Sequence, residues 1–266
     1  MSETNKPVCL SIAGLDPSGG AGVIADVKTF TAFSCYGAAA ITSVTYQNTT
    51  DVFGAAHQSA DSVRKQIEAV LDDLDVIAIK TGMLPTREIM EVVADIIRER
   101  KLKNVVVDPV IRSTSGYDLI EKAAVRAMIE KLIPLATLIT PNIPETELIT
   151  GVAIETEEDI RDAAAIIQSM GAANVLIKGG HQRVEAEQGR TAVDHLFVGS
   201  EVYTFELDWV DTTSTHGTGC VLSSAIAANL AHGNSLNEAV QAAKDFVTNA
   251  ILTAQKIGHG NSPINV

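Results

Sequence analysis

The segment Ser214-Thr215-His216-Gly217-Thr218-Gly219-Cys220 runs straight into an alanine-rich helical stretch at 221–228. The first turn of a helix has backbone N–H groups without intrahelical partners, and the macrodipole adds partial positive charge there. Gly217 and Gly219 would let a phosphate approach that backbone with no Cβ in the way. The same field favours a thiolate, so the expectation for Cys220 is a lowered pKa and a role as proton acceptor. A phosphate cradle beside an activatable acceptor points to phosphoryl transfer. Gly-Thr-Gly before a helix also serves as a plain tight loop and cap, and that reading stays open on this segment alone.

Other candidate residues stand at the ends of apolar runs. Gly14-Leu15-Asp16-Pro17-Ser18-Gly19-Gly20-Ala21-Gly22, with Asp26 beyond, would form a loop close to a small ligand. It matches neither the P-loop nor the GxGxxG order, which excludes a dinucleotide fingerprint, and a ligand-free βα turn is the alternative. Gln47 can donate and accept at once, which suits the edge of an aminopyrimidine, or it is a satisfied loop amide. Asp108, Asn142 and Glu145 offer oxygen ligands for Mg²⁺, directly or through water. Asp-Pro and Asn-x-Pro are ordinary turn starters too. Lys178, directly after an apolar run and before Gly179-Gly180-His181, supplies a point charge for a transferring phosphoryl group.

These residues need a frame. Near-continuous apolar runs at 8–13, 39–46, 76–80, 104–108, 136–140 and 174–178 predict parallel strands covered on both faces. Helical stripes lie between them: Val63, Ile67, Val70, Leu71, Leu74; then Ile89, Val92, Val93, Ile96, Ile97; then Ile160, Ala163, Ala164, Ile167. Thr156 with Asp159 and Ser235 with Glu238 predict capping pairs, and Gly171 a helix stop. Residues 195–207 predict an edge hairpin turning at Gly199-Ser200. In an open parallel sheet ligands sit outside the carboxyl ends of the strands, where the polar residues above fall. No linker or repeat interrupts the 266 residues, so residues 1–266 are expected to form one domain.

Composition narrows the class. Hydrophobic residues make up 46% and aromatics 4%, which predicts an aliphatic, alanine-rich core. A net charge of −13 argues against nucleic acid or an anionic membrane surface as partner. The amino terminus lacks a signal-peptide pattern, and no apolar run is long enough to span a bilayer. Cys9, Cys35 and Cys220 fit neither a disulfide framework nor a zinc site. The expected location is the cytoplasm.

Taken in order, the 14–26 loop, Gln47-Asn48-Thr49, Asp108-Pro109-Val110, Thr140-Pro141-Asn142-x-x-Glu145, Lys178-Gly179-Gly180-His181 and His216-Gly217-Thr218-Gly219-Cys220 resemble the hydroxymethylpyrimidine/phosphomethylpyrimidine kinases of thiamine biosynthesis. The resemblance covers residues 8–257. It implies a ribokinase-like three-layer α/β/α sandwich with a mostly parallel sheet and a short edge hairpin. It also implies two successive ATP-dependent phosphorylations, of 4-amino-5-hydroxymethyl-2-methylpyrimidine and then of its monophosphate, by a homodimer using Mg²⁺. Carried over, Gly14, Asp26 and Gln47 would contact the pyrimidine, Asp26 accepting from its amine, with Met83 and Val110 packing on the ring. Lys178, Thr215 and Lys244 would bind the nucleotide, and Asp108, Asn142 and Glu145 the metal. Gly217, Thr218, Gly219 and Cys220 would form the anion hole, with Cys220 as base.

The chain departs from the family pattern at Leu15, Ile24, Tyr46, Ser214, Arg112 and Ser113. Arg112 either helps to hold a monophosphate or sits in solvent. Relatives of the same fold phosphorylate pyridoxal or pyridoxine, and Asp26 with Gln47 suits an aminopyrimidine better. A non-catalytic pyrimidine-binding protein would have lost Lys178, Glu145 or the Gly-Thr-Gly-Cys segment, and all are present.

Overall fold

The computed structural model describes residues 6–113, 116–179, 184–186 and 189–266. The strands are β1 (Val8–Leu15), β2 (Tyr36–Gln47), β3 (Val52–His57), β4 (Val76–Thr81), β5 (Val105–Val107), β6 (Leu138–Ile139), β7 (Asn174–Lys178), β8 (Val184–Ala186), β9 (Gly189–Val198) and β10 (Glu201–Asp208). The helices are α1 (Gly22–Ala32), α2 (Ala60–Leu71), α3 (Arg87–Glu99), α4 (Lys122–Ala127), α5 (Ile143–Thr150), α6 (Glu157–Ser169), α7 (Thr218–Ala231) and α8 (Leu236–Leu252).

One sheet runs β10-β9-β7-β6-β5-β4-β1-β2-β3, with β8 beside β9. From β7 to β2 the pairs are parallel; β3 and the β8–β10 group are antiparallel. The central strands are mostly apolar because each face has its own core. Leu10, Ile12, Ile79, Val105, Val107, Ile139, Val175 and Ile177 pack with the stripes of α2, α3 and α6. Cys9, Ala78, Val106, Leu138 and Leu176 pack with Phe30 of α1 and with α7 and α8. The residues 221–230 of α7 are all buried, and small residues such as Ser223, Ser224, Ala225, Ala227 and Ala228 let the helix lie close to the sheet and to α8.

The predicted caps form complete capping boxes at Thr156–Asp159 and Ser235–Glu238. Gly171, at φ 108°, follows the end of α6 as expected. The hairpin turns at Gly199-Ser200 but is longer than 195–207, and β9 joins β7 so that only β10 forms the edge. The opposite edge, β3, was not anticipated: Val52–His57 holds Gly54 and two alanines and shows no run of β-branched residues. Among the described residues no helix is long and apolar enough to cross a membrane.

Candidate active site

The β1–α1 loop is organised by one carboxylate. Asp16 Oδ1 accepts from Ser18 N (2.8 Å) and Oγ (2.7 Å), and Oδ2 from Gly20 N (3.2 Å) and Ala21 N (3.0 Å). His216 Nε2 lies 2.8 Å from Asp16 Oδ2 and must carry the hydrogen, because a carboxylate only accepts. Burial would push Asp16 up, but the bonds from His216 and Ser18 outweigh it and hold the carboxyl below its usual range. Gln47 Nε2 stands 3.5 Å from the same His216 nitrogen. With that hydrogen spent on Asp16, the Gln47 amide stays available to a ligand.

The first loop and the 214–220 loop touch backbone to backbone. A Cβ on Gly217, which sits at φ 86°, would fall 1.9 Å from Gly20 O. A third segment ties the 214–220 loop to the β2–β3 loop. His216 N donates to Ser262 O (3.2 Å), and Asn261 N donates to Thr49 O (2.8 Å). His259 N and Gly260 N reach Thr49 Oγ1 at 3.2 and 3.3 Å. No sequence pattern marks the 257–264 strap, whose contacts are mostly backbone.

At the start of α7, Gly217 is the N-cap and no side chain caps the end. Thr218 N turns back to Thr215 O (3.3 Å), leaving Gly219 and Cys220 as backbone donors beside the cavity they line. The thiol differs from expectation. Burial pushes Cys220 up to about 11, with Lys80 pulling down and the Asp26 and Asp108 carboxylates pushing further up. Two nearby carboxylates and desolvation outweigh the helix field, so the thiol is neutral at physiological pH.

Asp26 is the second correction. Its side chain is fully buried, and both oxygens are occupied: Lys80 Nζ reaches each at 2.9 Å, Ser11 Oγ donates to Oδ2 (2.5 Å) and Ser224 Oγ to Oδ1 (2.8 Å). No acceptor remains for a pyrimidine amine. Lys80 is equally buried. Burial opposes its charge, but Asp26, then Cys220 and Asp108, hold its pKa above the usual range. The signal for this partner was a lone lysine inside the otherwise apolar run of β4.

Asp108, Lys178 and Glu145 meet at neighbouring strand ends. Lys178 Nζ donates to Asp108 Oδ1 (3.1 Å), which Thr140 Oγ1 also approaches (3.4 Å), while Ser223 Oγ donates to Oδ2 (3.2 Å). Burial works against the Lys178 charge, yet Asp108 and Glu145 raise its pKa. Burial raises Glu145, against the pull of Lys178. Asn142 and Glu145 form a capping box on α5, with Asn142 Oδ1 accepting from Glu145 N (2.9 Å) and Glu145 Oε2 from Asn142 N (2.9 Å). The Asn-x-x-Glu pattern therefore caps a helix, and the Asn142 oxygen assigned to a metal is engaged. Among the described residues no group of three His, Cys, Asp or Glu is arranged to hold a metal ion. Two hard carboxylates beside a phosphate cradle still fit Mg²⁺ that arrives on a polyphosphate, which supplies the remaining ligands.

A cavity of about 840 Å³ gathers most of the sequence-predicted residues. Gln47 and Val110 line it, as do Asp108, Asn142, Glu145 and Lys178. Thr215, Gly217, Thr218, Gly219, Cys220 and Lys244 complete the set. Lys244 is paired with Asp194 (Oδ2, 2.5 Å), whose Oδ1 accepts from Gly179 N (2.9 Å); Asp194 was not foreseen. Three predicted residues do not line this cavity. Asp26 lies beneath it, and Met83 opens on a neighbouring cavity of about 360 Å³ with His57 and Tyr117. Gly14 packs on that methionine, since a Cβ there would sit 3.1 Å from Met83 Sδ. Gly180 and His181 lie outside the described residues.

Comparison with known proteins places the chain in a family. Residues 16–265 match the family model for phosphomethylpyrimidine kinase. A hydroxymethylpyrimidine/phosphomethylpyrimidine kinase of Rhizobium meliloti is 46% identical over 262 residues, covering 97% of this chain and 96% of that one. The thiamine biosynthesis bifunctional protein ThiED of Geobacter sulfurreducens is 43% identical over 96% of this chain, which spans 51% of that longer protein. Among solved structures, the ADP complex of Bacillus subtilis pyridoxal kinase superposes with a TM-score of 0.88 at 38% identity, covering 98% of this chain and 97% of that one.

Two expectations follow from the buried groups. Asp26→Asn or Lys80→Met alone should lower unfolding free energy by about 3–5 kcal/mol, because each strands a buried partner. The double variant Asp26→Asn/Lys80→Met should lose less than the sum in urea titrations; strict additivity would mean the pair is not coupled. For Cys220, iodoacetamide labelling followed by peptide mass mapping should speed up about tenfold per pH unit up to a midpoint near 11. A plateau reached by pH 8 would show a thiolate already formed.

Proposed function

Because the chain belongs to the phosphomethylpyrimidine kinase family, we propose that this one cavity performs both of the chain's phosphorylations. The chain is a hydroxymethylpyrimidine/phosphomethylpyrimidine kinase of thiamine biosynthesis with a ribokinase-like fold, and it uses ATP. The observation that carries the site assignment is the meeting of Lys178–Asp108 with the uncapped start of α7 inside a single cavity. One sheet with a core on each face supports treating residues 1–266 as one kinase domain.

Phosphoryl transfer through a loose transition state asks for positioning and charge stabilisation more than for covalent chemistry. Lys178 offers a cation to the transferring phosphoryl group, held in place by Asp108. The Gly219 and Cys220 amides donate to oxygens on which charge accumulates. Gln47, steadied beside His216, reads the donor–acceptor edge of the pyrimidine, and Val110 packs on the ring. Thr215 and Lys244 border the nucleotide, Lys244 braced by Asp194. Asp108 and Glu145 would hold Mg²⁺ with the nucleotide phosphates; bound there, it neutralises phosphate charge. With its thiol neutral, Cys220 acts through its backbone donor and its shape, since a mostly protonated hydroxyl can attack without a preformed base.

Asp26 acts on the site through Lys80, whose charge lies close enough to pull down the Cys220 pKa. The pyridoxal alternative is weaker: the Rhizobium meliloti pyrimidine kinase shares 46% identity and the pyridoxal kinase 38%. Exposed Tyr46 (56%) and Phe53 (67%) at the β2–β3 edge support a homodimer. The free cysteines and the need for ATP support a cytoplasmic setting.

Two measurements test this reading. With MgATP, purified protein should convert hydroxymethylpyrimidine and its monophosphate to the diphosphate by mass, and turn over pyridoxal far more slowly; turnover of pyridoxal alone would move the function to vitamin B6. Light scattering should give twice the 28.1 kDa chain mass, reduced to one by Phe53→Lys. A wild-type monomer would remove the dimer.

A further inference from the structure

Val110 sits at φ 36°, a left-handed backbone that a β-branched residue rarely adopts. Such strain persists only where surrounding bonds over-determine it, and it concentrates at functional sites. Here the next residue is tied down: Ile111 N donates to Glu145 Oε1 (3.4 Å), the carboxylate beside Lys178. Beyond the turn, Leu119 N donates to Ile111 O (2.9 Å). Arg112 lines the same cavity as Asp108, Lys178 and Gln47.

The cations lining this cavity differ in what holds them. Lys178 and Lys244 pair with carboxylates whose side chains are only 3% and 9% exposed. Arg112 pairs with Asp118 at 2.6 Å, and the two side chains are 64% and 68% exposed. Removing a buried carboxylate's partner is costly, whereas an exposed pair contributes little and is readily exchanged. Arg112 is therefore the cavity cation, among the described residues, that can change partner at least cost. Its planar fork matches the oxygens of a phosphate better than an ammonium would.

The two acceptors of this kinase differ by one phosphate. We propose that Arg112 is the specificity-determining residue for the second phosphorylation: it leaves Asp118 and binds the phosphate already on the pyrimidine. This rests on the pyrimidine-kinase reading above. The unphosphorylated acceptor offers the guanidinium no anion to set against Asp118, so the Arg112–Asp118 pair stays closed in the first step. Asp118 competes for the guanidinium, which sets how strongly the enzyme prefers the monophosphate.

The test compares kcat/KM for the monophosphate with kcat/KM for hydroxymethylpyrimidine, at saturating MgATP. Arg112→Ala should lower that ratio about tenfold, through the KM of the monophosphate rather than kcat. Arg112→Lys should recover only part of it, and Asp118→Ala should raise the ratio. Equal losses on both acceptors, an unchanged ratio, or a rise confined to the KM of ATP would each overturn the proposal. If the wild type turns over neither pyrimidine, the reading of the site itself fails. Calorimetric Kd values for the two pyrimidines, wild type against Arg112→Ala, still decide the role of Arg112 in that case. Selective weakening of the monophosphate supports it, and equal affinity sinks it.

Discussion

A single buried carboxylate joins the parts that the site depends on. Asp26 belongs to α1, Ser11 to β1, Lys80 to β4 and Ser224 to α7, and all three partners converge on its two oxygens. Two neighbouring strands of the sheet and the two helices that begin at the cavity are thereby held in one register. Apolar packing alone is non-directional and tolerates small slides. Four charge-assisted bonds to one group do not, because any slide leaves a charge buried without its partner. The positions of the first loop and of the α7 start, one on each side of the Gly20–Gly217 contact, follow from that restraint.

The same device recurs around the cavity at decreasing depth. Lys178 is held by Asp108, Lys244 by Asp194 and His216 by Asp16, and all these carboxylates are buried. This explains how a chain of net charge −13 can receive a polyphosphate. The two buried-pair lysines, Lys178 and Lys244, are fixed before the ligand arrives, so they need little reorganisation on binding. The carboxylates also screen one another's cations, which keeps several charges compatible in a confined space. The cost appears at Cys220, where burial, reinforced by Asp26 and Asp108, keeps the thiol protonated.

Much of the architecture was legible because period and punctuation carry it. Near-continuously apolar strands announce a sheet covered on both faces, and Thr156–Asp159 or Ser235–Glu238 announce helix starts. Residue types at strand ends located Asp108, Lys178 and the Gly217–Cys220 turn. What stayed hidden has one physical cause: sequence reveals which group is polar but not what already occupies it. Asp26 was taken for a ligand contact because Lys80, 54 residues away, gave no sign of filling it. Asn142 was taken for a metal ligand although the Asn-x-x-Glu spacing equally describes a capping box. The helix-start rule misjudged Cys220 for the same reason, since the burial and the opposing carboxylates of Asp26 on α1 and Asp108 after β5 come from distant parts of the chain. Segments that act through backbone atoms, such as β3 and the 257–264 strap, leave no side-chain pattern at all.

The strap has a consequence for how the molecule comes into being. Thr49 meets His259 across 210 residues of chain, far beyond the range of any local element. The start of α7 closes spans almost as long, Ser224 meeting Asp26 across 198 residues and His216 meeting Asp16 across 200, and closure entropy grows only with the logarithm of length. Both halves of the cavity are therefore closed by joining early and late stretches of the chain, and neither half can be built from a contiguous fragment.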